Sequence, residues 1–486
     1  MIATDTAIET LKFFVNGKWE VAGVRPLHDI TNPATARTIA RVPYANADDI
    51  DRTARAAHEA FLKWRDVPVV DRVQVLYRYK ELFEKNAEEL ARTLTSENGK
   101  TIDDARAEIR RAIQMVEVSC GMPSLMMGQS LENVSRGIDC HTIRQPLGVC
   151  AGITPFNFPG MVPSWMYPFA IACGNSFILK PSEKVPMTPT RMAELLEQAG
   201  LPAGVFNLVH GDKVAVDALL QHPLVRAISF VGSTPIAKYI YENSARNGKR
   251  VQALGGAKNH LVVMPDADLD KTTDAIISSA FGAAGERCLA GSILVAVGKV
   301  AEPLLSLLLE KTRKIVVGDG IESDTQMGPL VTEAHRKRVE GYVEKGVAEG
   351  ATPLCDGRET DAGDGYFLGP TIFDNVTTDM TIAREEIFGP VLSVIRVKDL
   401  DAAIDLVNHS PFGNTTSIFT GDGKSARDYA ARVEAGMIGV NIGVAAPMAF
   451  FPFSGWKQSF FGDLHAHGRD AIAFYTEQKV IMSRWF

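Results

Sequence analysis

Six cysteines are spread along the chain, at positions 120, 140, 150, 173, 288 and 355. One of them stands in a setting suited to nucleophilic chemistry. Cys288 lies in Gly285-Glu286-Arg287-Cys288-Leu289-Ala290-Gly291. A neighbouring cation lowers a thiol's pKa, and flanking glycines let backbone N–H groups approach a reacting centre. Cys173 lies in the apolar run Ile171-Ala172-Cys173-Gly174, and Cys120 falls on the apolar face of a predicted helix. Cys140 and Cys150 have apolar or turn surroundings, and Cys355 precedes Asp-Gly at a predicted strand end. A single cysteine is more often a small core residue than a catalyst, so local reading makes Cys288 the best of six. There is no CxxC and no Cys/His ligand spacing, so no metal site is predicted. Cysteines this sparse predict reduced thiols and a cytoplasmic protein.

Two turns have the chemistry of a nucleotide site. Ala227–Val231 is a predicted strand that runs into Gly232-Ser233-Thr234-Pro235, which opens a helix. Backbone N–H groups at such a helix start can face a pyrophosphate, and Ser233 adds a hydroxyl. No G-x-G-x-x-G fingerprint accompanies it, and a plain capped helix start is the commoner meaning. A second strand ends at Leu179 and is followed by Lys180-Pro181-Ser182-Glu183-Lys184. A carboxylate beyond a strand end can accept ribose hydroxyls, and it would repel a 2′-phosphate, favouring NAD over NADP. Taken locally, Lys180 and Glu183 read as a solvated charged turn.

The elements that must position these residues alternate. From about residue 143, predicted strands (149–153, 176–179, 205–209, 227–231, 260–264) interleave with predicted helices (189–198, 213–220, 235–244). That order means βαβ units and a parallel sheet. A second series follows a helix at about 269–281, with strands at 293–297, 391–397 and 416–419 and helices at 333–348, 402–408 and 425–435. The first third reads mostly helical. Asp103–Cys120 sets Ile109, Ile113, Val116 and Cys120 on one face. The tail from Ala471 to Phe486 reads as an extended apolar segment that must dock on something.

Composition bounds the rest. The 486 residues are 46% hydrophobic and 22% charged, and 51 basic against 58 acidic residues give a net charge of −7. That balance argues against nucleic acid as the main partner. From Gln145 to Leu179 there is no Asp, Glu, Lys or Arg, but five prolines break any membrane helix, so no membrane partner is expected. The first 20 residues carry no secretory or transit pattern.

Pro155-Phe156-Asn157-Phe158-Pro159, Lys180-Pro-Ser-Glu183, Phe230-Val-Gly-Ser233, Gly285-Glu-Arg-Cys288, Glu386-Ile-Phe-Gly-Pro390 and Pro452-Phe-Ser-Gly-Trp456-Lys457 occur in one order along nearly the whole chain. Together they resemble the aldehyde dehydrogenase superfamily. The resemblance implies an α/β fold: a Rossmann-type NAD-binding domain (1–121 and 144–254), an α/β catalytic domain (255–465) and a small β oligomerisation arm (122–143 and 466–486), in a homodimer or homotetramer. It implies that Cys288 attacks the aldehyde carbonyl, and that Asn157 and the Cys288 backbone N–H form the oxyanion hole. Lys180 and Glu183 would clamp the adenosine ribose, Ser233 the pyrophosphate and Glu386 the nicotinamide ribose, with Phe388 near the ring. Thr154, Phe156, Lys184 and Gly255 would complete the cofactor contacts.

One departure bears on the subclass. Hydrolytic members carry a general-base Glu in Glu-Leu-Gly-Gly-Lys, where this chain has Gln252-Ala253-Leu254-Gly255-Gly256-Ala257-Lys258-Asn259-His260. The base position is expected at Ala253, which cannot take a proton from water. With Pro447–Pro452, this run resembles the CoA-acylating branch that oxidises malonate and methylmalonate semialdehydes. The resemblance implies coenzyme A as co-substrate, decarboxylation to acetyl-CoA or propionyl-CoA, and Arg111 and Arg287 as ligands of the substrate carboxylate. On helical spacing alone Arg111 lies opposite the apolar face, a solvent position. Glu286, two residues from Cys288, keeps open a hydrolytic alternative that yields the free acid. His210 and His260 read as structural, and a non-catalytic binding protein is the third reading.

Overall fold

The computed structural model describes residues 8–21, 23–360 and 362–486. Its main body is built on two twisted sheets. The first has eight strands in the order Phe460–Phe461, Arg250–Leu254, Val225–Val231, Val149–Ile153, Ser176–Lys180, Phe206–Leu208, Phe13–Val15 and Lys18–Glu20. The five central strands are parallel, and the added edge strands are antiparallel. The chain lays down Val149–Ile153 and moves outward through two strands. It then returns to place Val225–Val231 on the other side of the first. This reversal is the switch point where open α/β sheets bind ligands, outside the carboxyl ends of the strands. Thr154–Asn157 and Gly232–Ser233 leave those two strand ends.

The second sheet has seven strands in the order Thr352–Cys355, Thr371–Asp374, Val391–Val397, Gly291–Val297, Asn259–Val263, Thr415–Phe419 and Met437–Val440, parallel except for the first pair. The link 255–258 runs from the carboxyl end of Leu254 in the first sheet to the amino end of Asn259 in the second. The interval between the sheets is therefore lined by strand carboxyl ends on one side and strand amino ends on the other. Each sheet has its own apolar core. The first is covered on both faces, and the second is filled by residues such as Leu294, Val295, Leu304, Phe373 and Ile418.

A third sheet, Thr476–Arg484, Ile138–Pro146 and Ser130–Ser135, is antiparallel and carries exposed Leu131, Val134, Val480, Met482 and Trp485. The tail differs from the extended segment expected. Gly468–Phe474 is a helix whose Ala471, Ile472 and Phe474 sit in the first core, and the strand begins only at Thr476. Four helices do fill 47–120, but short strands occupy 9–43 ahead of them. The Phe13–Val15/Lys18–Glu20 hairpin turns on Asn16 and Gly17, both at positive φ, which is the Asn-Gly hairpin signal. Two three-residue strands are too short to register as a periodicity. Among the described residues no helix is long and apolar enough to cross a membrane.

Candidate active site

Cys288 ends a loop held in an unusual backbone conformation. Ala283, Ala284 and Gly285 follow one another in the left-handed region, at φ 47°, 51° and 72°. For the two alanines that costs roughly 1–3 kcal/mol each, so the surroundings must impose it. Asp104, on the helix Ile102–Cys120, does so from outside the loop. Its carboxylate accepts the Ala283 N–H at 3.1 Å and the Arg287 guanidinium at 2.7 Å. Arg287 also donates to the Ser278 carbonyl at 3.1 Å, lying where a side chain on Gly282 would stand. Gly285 passes so close to the Gly389 carbonyl that a Cβ would lie 2.2 Å from it.

The thiol is half-buried. Burial, with Glu386 adding to it, pushes its pKa up to about 12, and Arg287 pulls it down only weakly. The expectation that Arg287 activates Cys288 is corrected accordingly: its charge is engaged by Asp104. The backbone N–H groups of Cys288 and Leu289 act on the sulfur in favour of the thiolate.

Asn157 is buried beside this loop, and its side-chain amide donates to the Glu286 carbonyl at 2.9 Å. Its own carbonyl accepts from Lys100 at 2.6 Å, and Lys100 pairs with Glu108 at 2.6 Å. Glu108 in turn accepts the N–H groups of Gly160 and Met161. Both charges are buried, and stranding either would cost roughly 3–5 kcal/mol. Asp104, Glu108 and Arg111 stand at i, i+4 and i+7 on one helix, so one polar stripe braces the Cys288 loop and the Asn157 loop. None of these three bracing residues, Lys100, Asp104 or Glu108, was singled out in the sequence. The only signal of Asp104 and Glu108 is a polar stripe within a helix that is charged elsewhere as well, and Lys100 stands in the turn before that helix.

Arg111 does not face open solvent. It is half-buried, and its guanidinium contacts the Met448 sulfur at 2.9 Å and Gln114 at 3.4 Å. It thus lies between the bracing helix and the segment Pro447–Pro452. Arg111 belongs to the helix on which Arg287 docks, but Arg287 is already paired and Arg111 has no carboxylate partner in the salt bridges found among the described residues.

The expected base position needs correction. Ala253 and Leu254 are successive residues of one strand and point to opposite faces. Ala253 is fully buried with Ile153, Ile228, Phe230 and Ile240, whereas Leu254 belongs to the core against which Cys288 packs. The strand position that shares a core with the thiol is Leu254. Counting four residues back from Lys258, the Glu-to-Lys interval of Glu-Leu-Gly-Gly-Lys, reaches the same residue. Leucine is as unable to accept a proton as alanine.

Glu286 is buried, and desolvation pushes its carboxyl up to about 8. It accepts the Val331 N–H at 3.2 Å and lies 3.4 Å from the His335 ring. His335 is held neutral by burial, near 4, and its Nε2 faces the Phe388 carbonyl at 2.7 Å. Phe156, Phe388 and His335 pack edge to face, with the Lys184 ammonium 4.6 Å from the centre of the Phe156 ring. His335 was not foreseen; a histidine in the first turn of the helix Glu333–Ala348 carries no local signal.

The residues expected to hold a nucleotide cluster around the switch point. Ser233 caps the helix Thr234–Arg246, but its hydroxyl makes no capping bond and stays free for a ligand. Lys180 is buried, donates to the Gly211 carbonyl at 2.8 Å and lies 3.5 Å from Glu183. The Thr154 N–H donates to the Lys180 carbonyl at 3.2 Å, joining the two strand ends. Glu386 accepts the Ala257 N–H at 2.9 Å and lies so close to Gly256 that a Cβ there would meet it at 2.2 Å. Gly255 is pressed against the Gln458 carbonyl in the same way. Burial pushes Glu386 up to about 7. A free hydroxyl at a helix start, a lysine–glutamate pair beyond a strand end and a glycine-lined approach to Glu386 fit a dinucleotide lying across the crevice. His210 and His260 are buried and held neutral, near 4.

Residues 21–481 match the model of the aldehyde dehydrogenase family. The chain is 52% identical, over 98% of its length and 99% of the relative's, to a malonate-semialdehyde dehydrogenase of Halalkalibacterium halodurans. It is 52% identical, over 99% and 100%, to malonate-semialdehyde dehydrogenase 1 of Geobacillus thermodenitrificans. Among solved structures, a methylmalonate-semialdehyde dehydrogenase from Oceanimonas doudoroffii superposes with a TM-score of 0.96 at 46% identity, covering 98% of each chain. A Sinorhizobium meliloti structure described as a methylmalonate-semialdehyde dehydrogenase complexed with NAD gives 0.97 at 45%, again over 98% of each.

Proposed function

The chain belongs to the aldehyde dehydrogenase family and is an oxidoreductase of that α/β fold, and on that premise we propose that it oxidises malonate or methylmalonate semialdehyde with NAD and passes the acyl group to coenzyme A. The observation that carries this reading is the leucine at the end of the strand Arg250–Leu254, in the core that Cys288 packs against, at the position where a hydrolytic enzyme needs a carboxylate. The relatives' names supply the aldehyde, and the NAD complex of a neighbour supports the cofactor.

The Cys288 sulfur adds to the aldehyde carbon, and the oxygen that gains charge is stabilised by the Asn157 amide and the Cys288 N–H. Bound NAD supplies a hydride acceptor. Lys180, Glu183, Ser233, Glu386 and the lesser contacts Thr154, Phe156, Lys184 and Gly255 hold it at the switch point. Loss of hydride leaves a thioester on Cys288. In a β-carboxyl thioester the bond to the carboxylate breaks, CO2 leaves, and the electron pair forms an enolate that Asn157 can hold until it is protonated. The coenzyme A thiol then attacks the carbonyl and Cys288 departs as leaving group, a step that needs no strong base. The products are acetyl-CoA or propionyl-CoA, CO2 and NADH. With malonate semialdehyde they are expected in equal amounts, measured by chromatography of the thioester against NADH absorbance. Malonate or acetate, with free CoA returned, would count for hydrolysis. That second reading has Glu286 in its favour, a carboxyl near 8 two residues from the thiol.

Arg111 is assigned to the substrate carboxylate, and Arg287, paired with Asp104, to a supporting contact. Arg111→Leu is expected to lower kcat/KM for malonate semialdehyde roughly 10- to 100-fold, the worth of a charge-assisted hydrogen bond, and to leave propanal oxidation almost unchanged. Equal losses on both aldehydes would remove that role. Residues 122–143 and 466–486 are proposed as the association arm of a homodimer or homotetramer. Exposed Leu131, Val480, Met482 and Trp485 on the third sheet support it.

A further inference from the structure

The carbonyl of Cys288 is bonded in a way that satisfying a buried backbone group does not require. Two side-chain amides from separate elements converge on it. Asn259, at the amino end of its strand, donates at 2.9 Å, and Asn414, just before the strand Thr415–Phe419, donates at 2.9 Å. Both asparagines are buried. A carbonyl oxygen has two lone pairs, so both are filled by side chains. Asn259 is itself saturated: its second amide hydrogen goes to the Ala290 carbonyl at 2.8 Å, and its oxygen accepts the Thr415 N–H at 3.3 Å. One donor would satisfy the carbonyl; the second needs another reason.

The geometry suggests one. The Cys288 carbonyl belongs to the same peptide unit as the Leu289 N–H, and that N–H acts on the Cys288 sulfur in favour of the thiolate. Donors on a peptide oxygen polarise the unit and strengthen its N–H as a donor, and they also fix the plane in which it points. We propose that Asn259 and Asn414 are positioning residues which, by clamping the Cys288 carbonyl, aim and polarise the Leu289 N–H at the nucleophilic sulfur and so favour its thiolate. The inference rests on the reading of Cys288 as nucleophile and assigns work to two residues outside that reading. It also accounts for how a thiol disfavoured by burial and by Glu386 becomes reactive where Arg287 is engaged elsewhere.

The test is the pH dependence of Cys288 alkylation by iodoacetamide, followed on the Cys288 peptide by mass spectrometry in the full-length protein. Asn414→Leu is the decisive variant because Asn414 makes one side-chain bond to the loop, whereas Asn259→Leu also releases Ala290 and Thr415. In Asn414→Leu the alkylation midpoint is expected to rise by about half to one unit, making modification roughly 3- to 10-fold slower at a fixed pH below it. Asn414→Ser, which keeps a donor, is expected to recover part of the rate. Glu386 and Arg287, the charged groups that act on the sulfur, are unaltered in each variant. A profile that superimposes on the parent, with or without a lower melting temperature, would overturn the proposal and leave Cys288 as nucleophile. Failure of that underlying reading would show separately, as undiminished turnover in Cys288→Ala.

Discussion

Cys288→Ala is expected to abolish NADH formation, with a loss of at least about 10⁴-fold in kcat, while NAD binding measured by fluorescence titration stays within about twofold of the parent. The size of the effect follows from the site. Hydride can leave only after the carbonyl carbon has become tetrahedral, and no other side chain at the loop replaces the sulfur: Glu286 is tied to Val331 and faces His335, and Asn157 carries an amide. The selectivity follows too. Lys180, Glu183, Ser233 and Glu386, the residues proposed to hold the cofactor, stand on the first sheet and the Glu386 turn, away from the thiol's own loop. Removing a sulfur from a half-buried position is also mild for the fold. Retained turnover would place the chemistry elsewhere, and loss of NAD binding together with turnover would mean that the loop had collapsed.

Much of this site was legible in the sequence because it is punctuated by glycine and proline. The Cys288 loop, the Asn157 turn, Gly232-Ser233 and the Glu386 turn are each short: the Asn157 turn and Gly232-Ser233 leave strand ends, and the Cys288 loop and the Glu386 turn lead from a helix into a strand. Alternating strands and helices predicted a parallel sheet and a second α/β series, and two largely parallel sheets are present. What stayed hidden depends on direction in space. Whether Ala253 or Leu254 faces the thiol is settled by which side of a strand each occupies, and the motif could be aligned from either end. Arg287 sits beside Cys288 in sequence, yet its guanidinium turns away to Asp104. Asp104 and Glu108 brace two loops from a helix that looks, residue by residue, like an ordinary charged surface helix, with Lys100 joining from the turn before it. Asn259 and Asn414 are about 150 residues apart and meet on one oxygen; single amides carry no pattern.

The second large effect concerns release of the acyl group. A thioester on Cys288 needs either water activated by a base or a nucleophile that requires none. On the face of the strand Arg250–Leu254 turned to the core that Cys288 packs against there is Leu254, and on the other face Ala253; neither takes a proton. Uncatalysed water attack on a thioester is slow, whereas exchange with a thiol proceeds readily near neutral pH. The decisive measurement is therefore rapid-mix NADH formation from malonate semialdehyde and NAD, with and without coenzyme A. Without it, a burst equal to the number of reactive Cys288 thiols is predicted, then a steady rate at least about 100-fold below that reached with coenzyme A. Equal steady rates in the two arms, with free acid accumulating in both, would contradict the account.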